Sequence, residues 1–227
     1  DQFQISGSWR RADTSLNATS NSESKVQTMK ILVAGATGNT GLRLTQQLCD
    51  AGHQPIAMHR ASSDTSMIPQ GATLREADLT DLNDDICNGA DVVVFAAGSG
   101  GNTSDEMTDK VDRDGAINLI ERAKQAKVSH FVMLSTVGAD KPDPTSDLHH
   151  YLNAKHDVDE HLMASGLSYT FVRPVALSDD DGNRDIRLGD EINRDGKAAR
   201  GDVAAVLARA VNDDSLANKT FLMESIG

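Results

Sequence analysis

The sequence predicts an α/β fold, built as one domain on a doubly wound parallel sheet. Short apolar segments alternate with longer amphipathic segments from residue 29 onward, and a glycine-rich turn follows the first apolar segment. The 227 residues suffice for one core. Hydrophobic residues make up 38% and aromatic residues only 4% of the chain, so aliphatic side chains must fill that core.

The first predicted strand, Lys30–Ala34, is followed by a glycine turn and a helix. Gly35, Gly38 and Gly41 have the spacing G-x-x-G-x-x-G. This arrangement brings a diphosphate to a helix N-terminus, where free N–H groups and the helix dipole favour an anion. Gly35 would allow the tight turn, Gly38 the approach of the phosphate, and Gly41 close packing of helix on strand. An ordinary glycine-rich βα turn is the alternative. The other residues of the predicted binding turn are Thr37, Asn39 and Thr40.

The second predicted strand, Gln54–His59, is followed directly by Arg60, and Ser62 and Ser63 come soon after. In an NAD site an acidic residue here would bind the ribose 2′-hydroxyl, whereas an arginine accommodates a 2′-phosphate. The first acidic residue is Asp64. Charge-assisted hydrogen bonds from Arg60 and a serine therefore predict NADP (NADPH) as the preferred cofactor, with NAD as the second choice. A solvated surface arginine is the alternative.

The third predicted strand, Thr73–Ala77, is followed by Asp78 and Leu79. In a dinucleotide-binding fold this pair can border the adenine, Asp78 by hydrogen bonding and Leu79 by packing. Alternatively, Asp78 or Thr80 caps a helix running through Leu82 and Ile86. The two roles are compatible.

The clearest central strand is Asp91–Ala97, which ends in the small residues Ala96, Ala97 and Gly98. Small residues at this strand end allow a cofactor ribose and a substrate to approach. The Gly/Ser-rich stretch that follows, up to Ser104, has a flexible crossover loop as its alternative interpretation.

A helix over Asp105–Ala126 and a strand over His130–Ser135 precede a helix containing Tyr151 and Lys155. Residues four apart lie on one helix face. A lysine ammonium beside a phenol favours the phenolate, which makes the tyrosine a better proton donor and acceptor near neutral pH. Lys155 can also bind a ribose, and Ser135, at the strand's carboxyl end, can orient a substrate carbonyl oxygen. A surface pair on an amphipathic helix is the alternative.

The sixth predicted strand, Ser168–Val172, is followed by Pro174 and Val175, whose backbone groups would meet the nicotinamide carboxamide. Residues 178–199 form a polar loop with a short strand around Ile186–Leu188, expected beside the substrate opening. Its acidic start does not fit a calcium loop, because leucines would occupy the first and twelfth positions. The last predicted elements are the helix Asp202–Val211 and the edge strand Thr220–Glu224.

Charge and composition limit the partners. The net charge of −12 argues against nucleic acid and anionic membranes, and no apolar run approaches the roughly 18 residues of a membrane span. Cys49 and Cys87 lie in predicted helices without a metal or redox motif, which predicts a reduced, cytoplasmic setting. The seven histidines show no paired ligand spacing, so no metal is predicted.

Residues 1–28 are predicted to be a vector-derived or weakly ordered extension, with a processed targeting remnant as the alternative.

Several motifs together resemble the short-chain dehydrogenase/reductase superfamily, in particular its atypical, compact NAD(P)-binding branch, which also includes NmrA-like and epimerase-like proteins. They are VAGATGNTG at 33–41, ADLTD at 77–81, VVVFAAG at 92–98, FVMLST at 131–136, YLNAK at 151–155, SGLSYTFVRP at 165–174 and RGDVA at 200–204. The resemblance implies a Rossmann-like sheet of strand order 3-2-1-4-5-6-7 with NADP in its cleft. It also implies that Ser135, Tyr151 and Lys155 form the catalytic set.

Two positions depart from the superfamily's pattern. An N-x-x-G motif in the helix after the fourth strand here begins with Asp112. The proline after the sixth strand is usually followed by glycine, and here Val175 follows it. The sequence predicts an NADP(H)-binding oxidoreductase for a small carbonyl or hydroxyl substrate. An NADP(H)-binding sensor or assembly protein with little catalysis is the alternative, and a nucleotide-sugar epimerase or dehydratase ranks last.

Overall fold

The computed structural model describes residues 27–100 and 103–227. Most of the predicted extension, residues 1–26, and two positions of the Gly/Ser-rich loop lie outside the described residues. The strands are β1 Lys30–Ala34, β2 Gln54–His59, β3 Thr73–Glu76, β4 Val92–Phe95, β5 His130–Leu134, β6 Tyr169–Pro174, β7 Ala176–Ser178, β8 Ile186–Leu188, β9 Lys197–Ala199 and β10 Lys219–Ser225. The helices are α1 Asn39–Asp50, α2 Asp105–Met107, a π-helix Thr108–Gly115, α3 Ala116–Gln125, α4 His149–Ala164, α5 Arg200–Ala210 and a 3-10 turn Asp214–Leu216.

The main sheet has the strand order β3-β2-β1-β4-β5-β6-β10-β8. All neighbouring pairs are parallel except the last, in which β8 runs antiparallel to β10. The predicted Rossmann-like α/β fold and its order 3-2-1-4-5-6-7 are confirmed, with β10 as the seventh strand. The prediction that this strand forms the edge is wrong, because the short β8 pairs with its outer side at Met223–Leu188. β7 and β9 form a separate two-stranded parallel sheet.

The core lies on both faces of the sheet, as the continuous apolar strands require. In β1, Ile31, Leu32 and Val33 are fully buried. One face packs under α1 and α5, and the other under α3 and α4. Leu48 of α1 and Leu162 of α4 are fully buried on opposite faces, and each such side chain stabilises the fold by about 1.5–3 kcal/mol.

The helix predicted through Leu82 and Ile86 is wrong. The segment forms turns, in which Asn88 N–H donates to the Asp85 carbonyl at 2.9 Å. The Arg75 guanidinium donates to the carbonyl oxygens of Ile86, at 2.6 Å, and Asn88, at 3.1 Å. This distant side chain satisfies carbonyls that a helix would pair internally, and Cys87 therefore lies in a turn.

The helix predicted over Asp105–Ala126 forms, but its centre is the π-helix. Long π-helical segments are rare and often occur at functional sites. Gly115 closes this segment against Leu79: an added Cβ would lie 2.9 Å from the Leu79 Cβ and carbonyl oxygen. The π-helix therefore lies directly against the loop after β3. No helix in the described part of the chain is both long and apolar enough to cross a membrane.

Candidate functional site

A cleft of about 950 Å³ opens where β1, β2, β3 and β4 end. Ligands of open α/β sheets bind at the carboxyl ends of the strands. Ten of the predicted cofactor residues line this cleft: Gly35, Thr37, Gly38, Arg60, Ser63, Asp78, Leu79, Ala96, Ala97 and Gly98.

The glycine turn has the geometry of an anion site. Gly35 has φ +84°, and an added Cβ would lie 2.6 Å from the Ala97 backbone nitrogen. At Gly41 an added Cβ would lie 2.0 Å from the Gly35 carbonyl oxygen, so the helix approaches the turn more closely than any side chain permits. Gly38 is exposed and caps α1 in an extended conformation. The helix thus begins with an uncharged first turn, and its dipole faces the cleft.

The remaining predicted residues of this turn, Asn39, Thr40 and Gly41, form the first turn of α1 beside the cleft. Thr40 and Gly41 are buried, and Asn39 is exposed. The acidic start of the 178–199 loop docks here: the Asn39 side-chain amide donates to Asp179 at 2.8 Å. Arg43 donates to Asp181 at 2.7 Å. The structure thus places the start of the loop beside the glycine turn.

Arg60 lines the cleft at the end of β2 together with His59 and Ser63. The Ser63 hydroxyl accepts a hydrogen bond from Arg60 N–H at 3.3 Å, which fixes the serine beside the arginine. Among the described residues, no carboxylate lies within ion-pair distance of the Arg60 guanidinium. Ser62 is exposed and lies outside the set of residues that line the cleft.

Asp78 is held in place by its own loop. Its carboxylate accepts hydrogen bonds from the Thr80 N–H at 2.9 Å and from the Thr80 hydroxyl at 2.8 Å. These bonds, with a smaller contribution from the charge of Arg60, lower the pKa of Asp78. Because turns follow β3, Asp78 closes an Asx turn, and the helix-capping alternative is wrong. Leu79 is buried beside it and lines the cleft.

The π-helix and α3 form a wall of the cleft that the sequence-based prediction missed. Four of its residues line the cleft, Lys110, Val111, Asp114 and Asn118, and Met107 at the end of α2 lines it just before them. They recur three and four residues apart, so they share one helix face. That spacing could have identified the wall, but the π-helical geometry was not readable from the sequence. Five other lining residues were also missed: Met58, His59, Ala77, Thr80 and Ser99.

Tyr151 and Lys155 lie on one face of α4, as their spacing predicts. The Lys155 Nζ is 5.7 Å from the centre of the Tyr151 ring. Lys155 is only 3% exposed, and its ammonium forms an ion pair of 3.3 Å with Asp112. Burial alone lowers the pKa of Lys155, but the negative charges of Tyr151, Asp112 and Asp159 outweigh it, and the pKa lies above its ordinary value.

Ser135 belongs to a second buried group. Its hydroxyl donates to Asp159 Oδ2 at 2.7 Å, and the Arg173 guanidinium donates to the same oxygen at 2.8 Å. Burial raises the pKa of Asp159, while Arg173 and the Ser135 hydrogen bond act in the opposite direction. Asp159 and Arg173 were missed, although Asp159 stands four residues after Lys155 on the same helix.

The three predicted catalytic residues lie directly after β5 and on α4, outside the cleft wall that the described residues form. Within the described chain, Ser135, Tyr151 and Lys155 are not among the lining residues. Pro174 and Val175 also lie outside this set. The Val175 N–H donates to the Met223 carbonyl at 3.0 Å, and the Pro174 carbonyl accepts from Val137 N–H at 3.1 Å. These two groups, predicted to meet the nicotinamide carboxamide, form hydrogen bonds within the fold, to β10 and to the segment after β5 respectively.

Known proteins share this architecture over most of the chain. The family described as NAD(P)H-binding matches residues 35–214. The Bacillus subtilis protein YhfK, named as an uncharacterized sugar epimerase, is 34% identical over 199 residues, which cover 85% of this chain and 92% of YhfK. The chain therefore belongs to the NAD(P)H-binding family, within the predicted superfamily.

Two solved structures agree with this assignment. A Bacillus halodurans protein assigned as an NAD-dependent epimerase/dehydratase has a TM-score of 0.82 at 32% identity, and the match covers 87% of this chain and 94% of that protein. The oxidoreductase ylbE from Lactococcus lactis has a TM-score of 0.77 at 28% identity, and the match covers 87% and 91% of the two chains. The family is thus oxidoreductase- or epimerase-like.

Proposed function

We propose that this member of the NAD(P)H-binding family is an NADP(H)-dependent oxidoreductase that interconverts a small carbonyl compound and its alcohol. The observation that carries the cofactor preference is the Arg60 guanidinium, which lines the cleft at the end of β2 without a carboxylate partner among the described residues. A cation at this strand end suits a ribose 2′-phosphate. Ser63 beside it supplies a hydroxyl for the same group.

The remaining cofactor contacts follow from the shape of the cleft. The glycine turn and the first turn of α1 would hold the diphosphate. Asp78 and Leu79 would border the adenine, and Ala96, Ala97 and Gly98 leave space for a ribose. NADPH supplies a hydride when it is bound.

Tyr151 would supply the proton in carbonyl reduction. Its phenol transfers the proton to the carbonyl oxygen of the substrate as that oxygen gains negative charge. The Lys155 ammonium on the same face of α4 stabilises the phenolate that remains. In alcohol oxidation the phenolate takes the proton back.

Ser135 would orient the substrate oxygen, and this role requires its hydroxyl hydrogen to turn away from Asp159. Its hydrogen now points to Asp159. Rotation about the Cβ–Oγ bond redirects that hydrogen, while Arg173 continues to pair with Asp159. The reduced, cytoplasmic setting is part of this proposal, and the free thiols of Cys49 and Cys87 support it.

Replacement of Tyr151 tests the catalytic assignment. We expect Tyr151→Phe to lower NADPH-dependent reduction in a panel of small aldehydes and ketones by at least about 100-fold, because the proton donor is lost. Cofactor affinity, measured by calorimetry, should change little. Tyr169→Phe is the matched control and should retain turnover. Undiminished reduction by Tyr151→Phe would contradict the assignment.

Ser135 is hydrogen-bonded to Asp159, and Lys155 is ion-paired with Asp112. Because both side chains already have partners within the protein, these contacts favour a second candidate, an NADP(H)-binding sensor or assembly protein with little catalysis. In that case the pure protein would bind NADPH and leave the carbonyl panel unreduced. An epimerase-like reaction is the third candidate, and it would be indicated by tightly co-purifying NAD. Mass spectrometry of the co-purifying nucleotide separates the first and third candidates.

A further inference from the structure

Asp112 is buried between the cleft and α4, at the position where the superfamily pattern has asparagine. Its side chain is 1% exposed. One carboxylate oxygen, Oδ2, accepts a hydrogen bond from the Ser99 N–H at 2.9 Å, and Oδ1 lies 3.3 Å from the Lys155 ammonium. Ser99 lines the cleft, and Lys155 adjoins Tyr151. Asp112 therefore connects the edge of the cleft to the face of α4 that carries the predicted proton donor.

The surroundings of Asp112 call for a carboxylate. Its two neighbours, the Ser99 N–H and the Lys155 ammonium, are both donors, and each addresses a different oxygen. Asparagine offers one oxygen and one NH₂ group, so in either orientation one donor would face another donor. Buried donors left without an acceptor are costly, and a buried ammonium is costlier still. The departure from asparagine thus has a physical reason in this structure.

We propose that Asp112 is a positioning residue: it fixes the Lys155 ammonium and the Ser99 backbone in one arrangement, and its negative charge offsets that of Lys155 at Tyr151. This inference rests on the proposed function only for the catalytic role of Tyr151. The contacts of Asp112 stand without it.

Other charges on the packed elements belong to separate pairs. On α4, Asp159 acts on Lys155 but is itself paired with Arg173 of β6 at 2.8 Å. On the outer side of the π-helix, Asp109 pairs with Arg113 at 2.9 Å and with His150 of α4 at 3.0 Å. Asp112 is thus the carboxylate within ion-pair distance of Lys155 in the described chain.

The expected consequence is a change in the pH at which the Tyr151 phenol ionises. In Asp112→Asn the charge of Lys155 is no longer offset, so the phenolate is favoured. We therefore expect the ionisation midpoint of Tyr151 to fall in Asp112→Asn relative to the background protein.

The chain allows a clean measurement, because it contains only two tyrosines. A Tyr169→Phe background leaves Tyr151 as the single tyrosine, and its ionisation is followed by absorbance at about 295 nm without substrate or cofactor. Asp109→Asn is the matched control, since it removes one carboxylate from the same π-helix. Its midpoint should stay close to that of the background protein, whereas an equal shift in both variants would overturn the proposal.

Should Asp112→Asn lose its cooperative thermal unfolding, two further variants decide the question. Lys155→Met should raise the midpoint, and Asp112→Asn/Lys155→Met should lie between Lys155→Met and the background protein. Equal midpoints for Lys155→Met and the double variant would overturn the proposal, as would an unshifted Asp112→Asn. Because no turnover is measured, absence of carbonyl reduction together with the expected shifts would count against the proposed function alone.

Discussion

The cleft lies beside a buried charged cluster formed by Asp112, Lys155, Asp159 and Arg173. The two regions differ in whether their charged side chains have ion-pair partners. Small residues form the cleft where β1 and β4 end, and of its two exposed cations, Lys110 pairs with Glu106, whereas Arg60 has no ion-pair partner among the described residues. In the cluster, two carboxylates and two cations lie in pairs, each at most 8% exposed. The cleft is prepared for an external anion, whereas the cluster neutralises itself.

This difference shows where a ligand's charge can be accommodated. An anion at Arg60 gains a partner without separating an existing ion pair. An anion that reached Lys155 or Arg173 would have to compete with a buried carboxylate, and a buried pair is costly to break. The cluster therefore suits proton chemistry and positioning better than it suits binding of phosphate.

The largest expected effect comes from a glycine of the cleft. Gly41→Ala should destabilise the protein by about 4 kcal/mol or more, because the added Cβ would lie 2.0 Å from the Gly35 carbonyl oxygen. Urea unfolding measures this. Gly38→Ala is the matched control: its nearest contact would be 3.3 Å and alanine is a poorer N-cap than glycine, so it should cost no more than about 1 kcal/mol and mainly weaken NADPH binding. Equal stability losses would show that the turn is not built as described.

A smaller loss is expected when the cluster is left unbalanced. Asp159→Asn should destabilise the protein by about 3 kcal/mol, because the buried guanidinium of Arg173 loses its closer and buried carboxylate partner and keeps only the half-exposed Asp140, at 3.7 Å. Asp109→Asn, which alters a partly exposed pair, should cost less than about 1 kcal/mol in the same unfolding experiment. Equal losses of stability in the two variants would mean that the buried ion pair of Asp159 and Arg173 is no stronger than the partly exposed pair of Asp109.

The same contrast explains what the sequence could predict. The glycine turn and the strand that precedes it are local features, and β1 and β2 were predicted to the residue. Arg60 was predicted to face a ligand because it directly follows β2. The partners of Ser135 and Lys155 were not predicted, since Asp159 is 24 residues from Ser135 and Asp112 lies on a separate helix. Such pairs depend on how α4, the π-helix and β6 pack, and local pattern does not encode that packing.

The failed helix around Ile86 has a similar cause. Its apolar spacing was compatible with a helix, but Arg75 from β3 satisfies two of its carbonyl oxygens in a turn. For the wall formed by the π-helix, a helix was predicted correctly, but its wider π geometry could not be predicted from the sequence. In both places the segment contacts residues 75–79, which are distant in sequence and which a local pattern does not include.

The central claim is that Arg60 selects NADP(H), and a comparison of NADPH and NADH binding by calorimetry tests it most directly. We expect the unmodified protein to bind NADPH more tightly than NADH. Arg60→Ala should lose about 10- to 100-fold of NADPH affinity, with little change for NADH, because one charged hydrogen-bonding partner of the 2′-phosphate is removed. Arg194→Ala, a change of equal charge at an exposed residue outside the cleft, should keep the preference. Equal affinities of the unmodified protein for NADPH and NADH would contradict the claim.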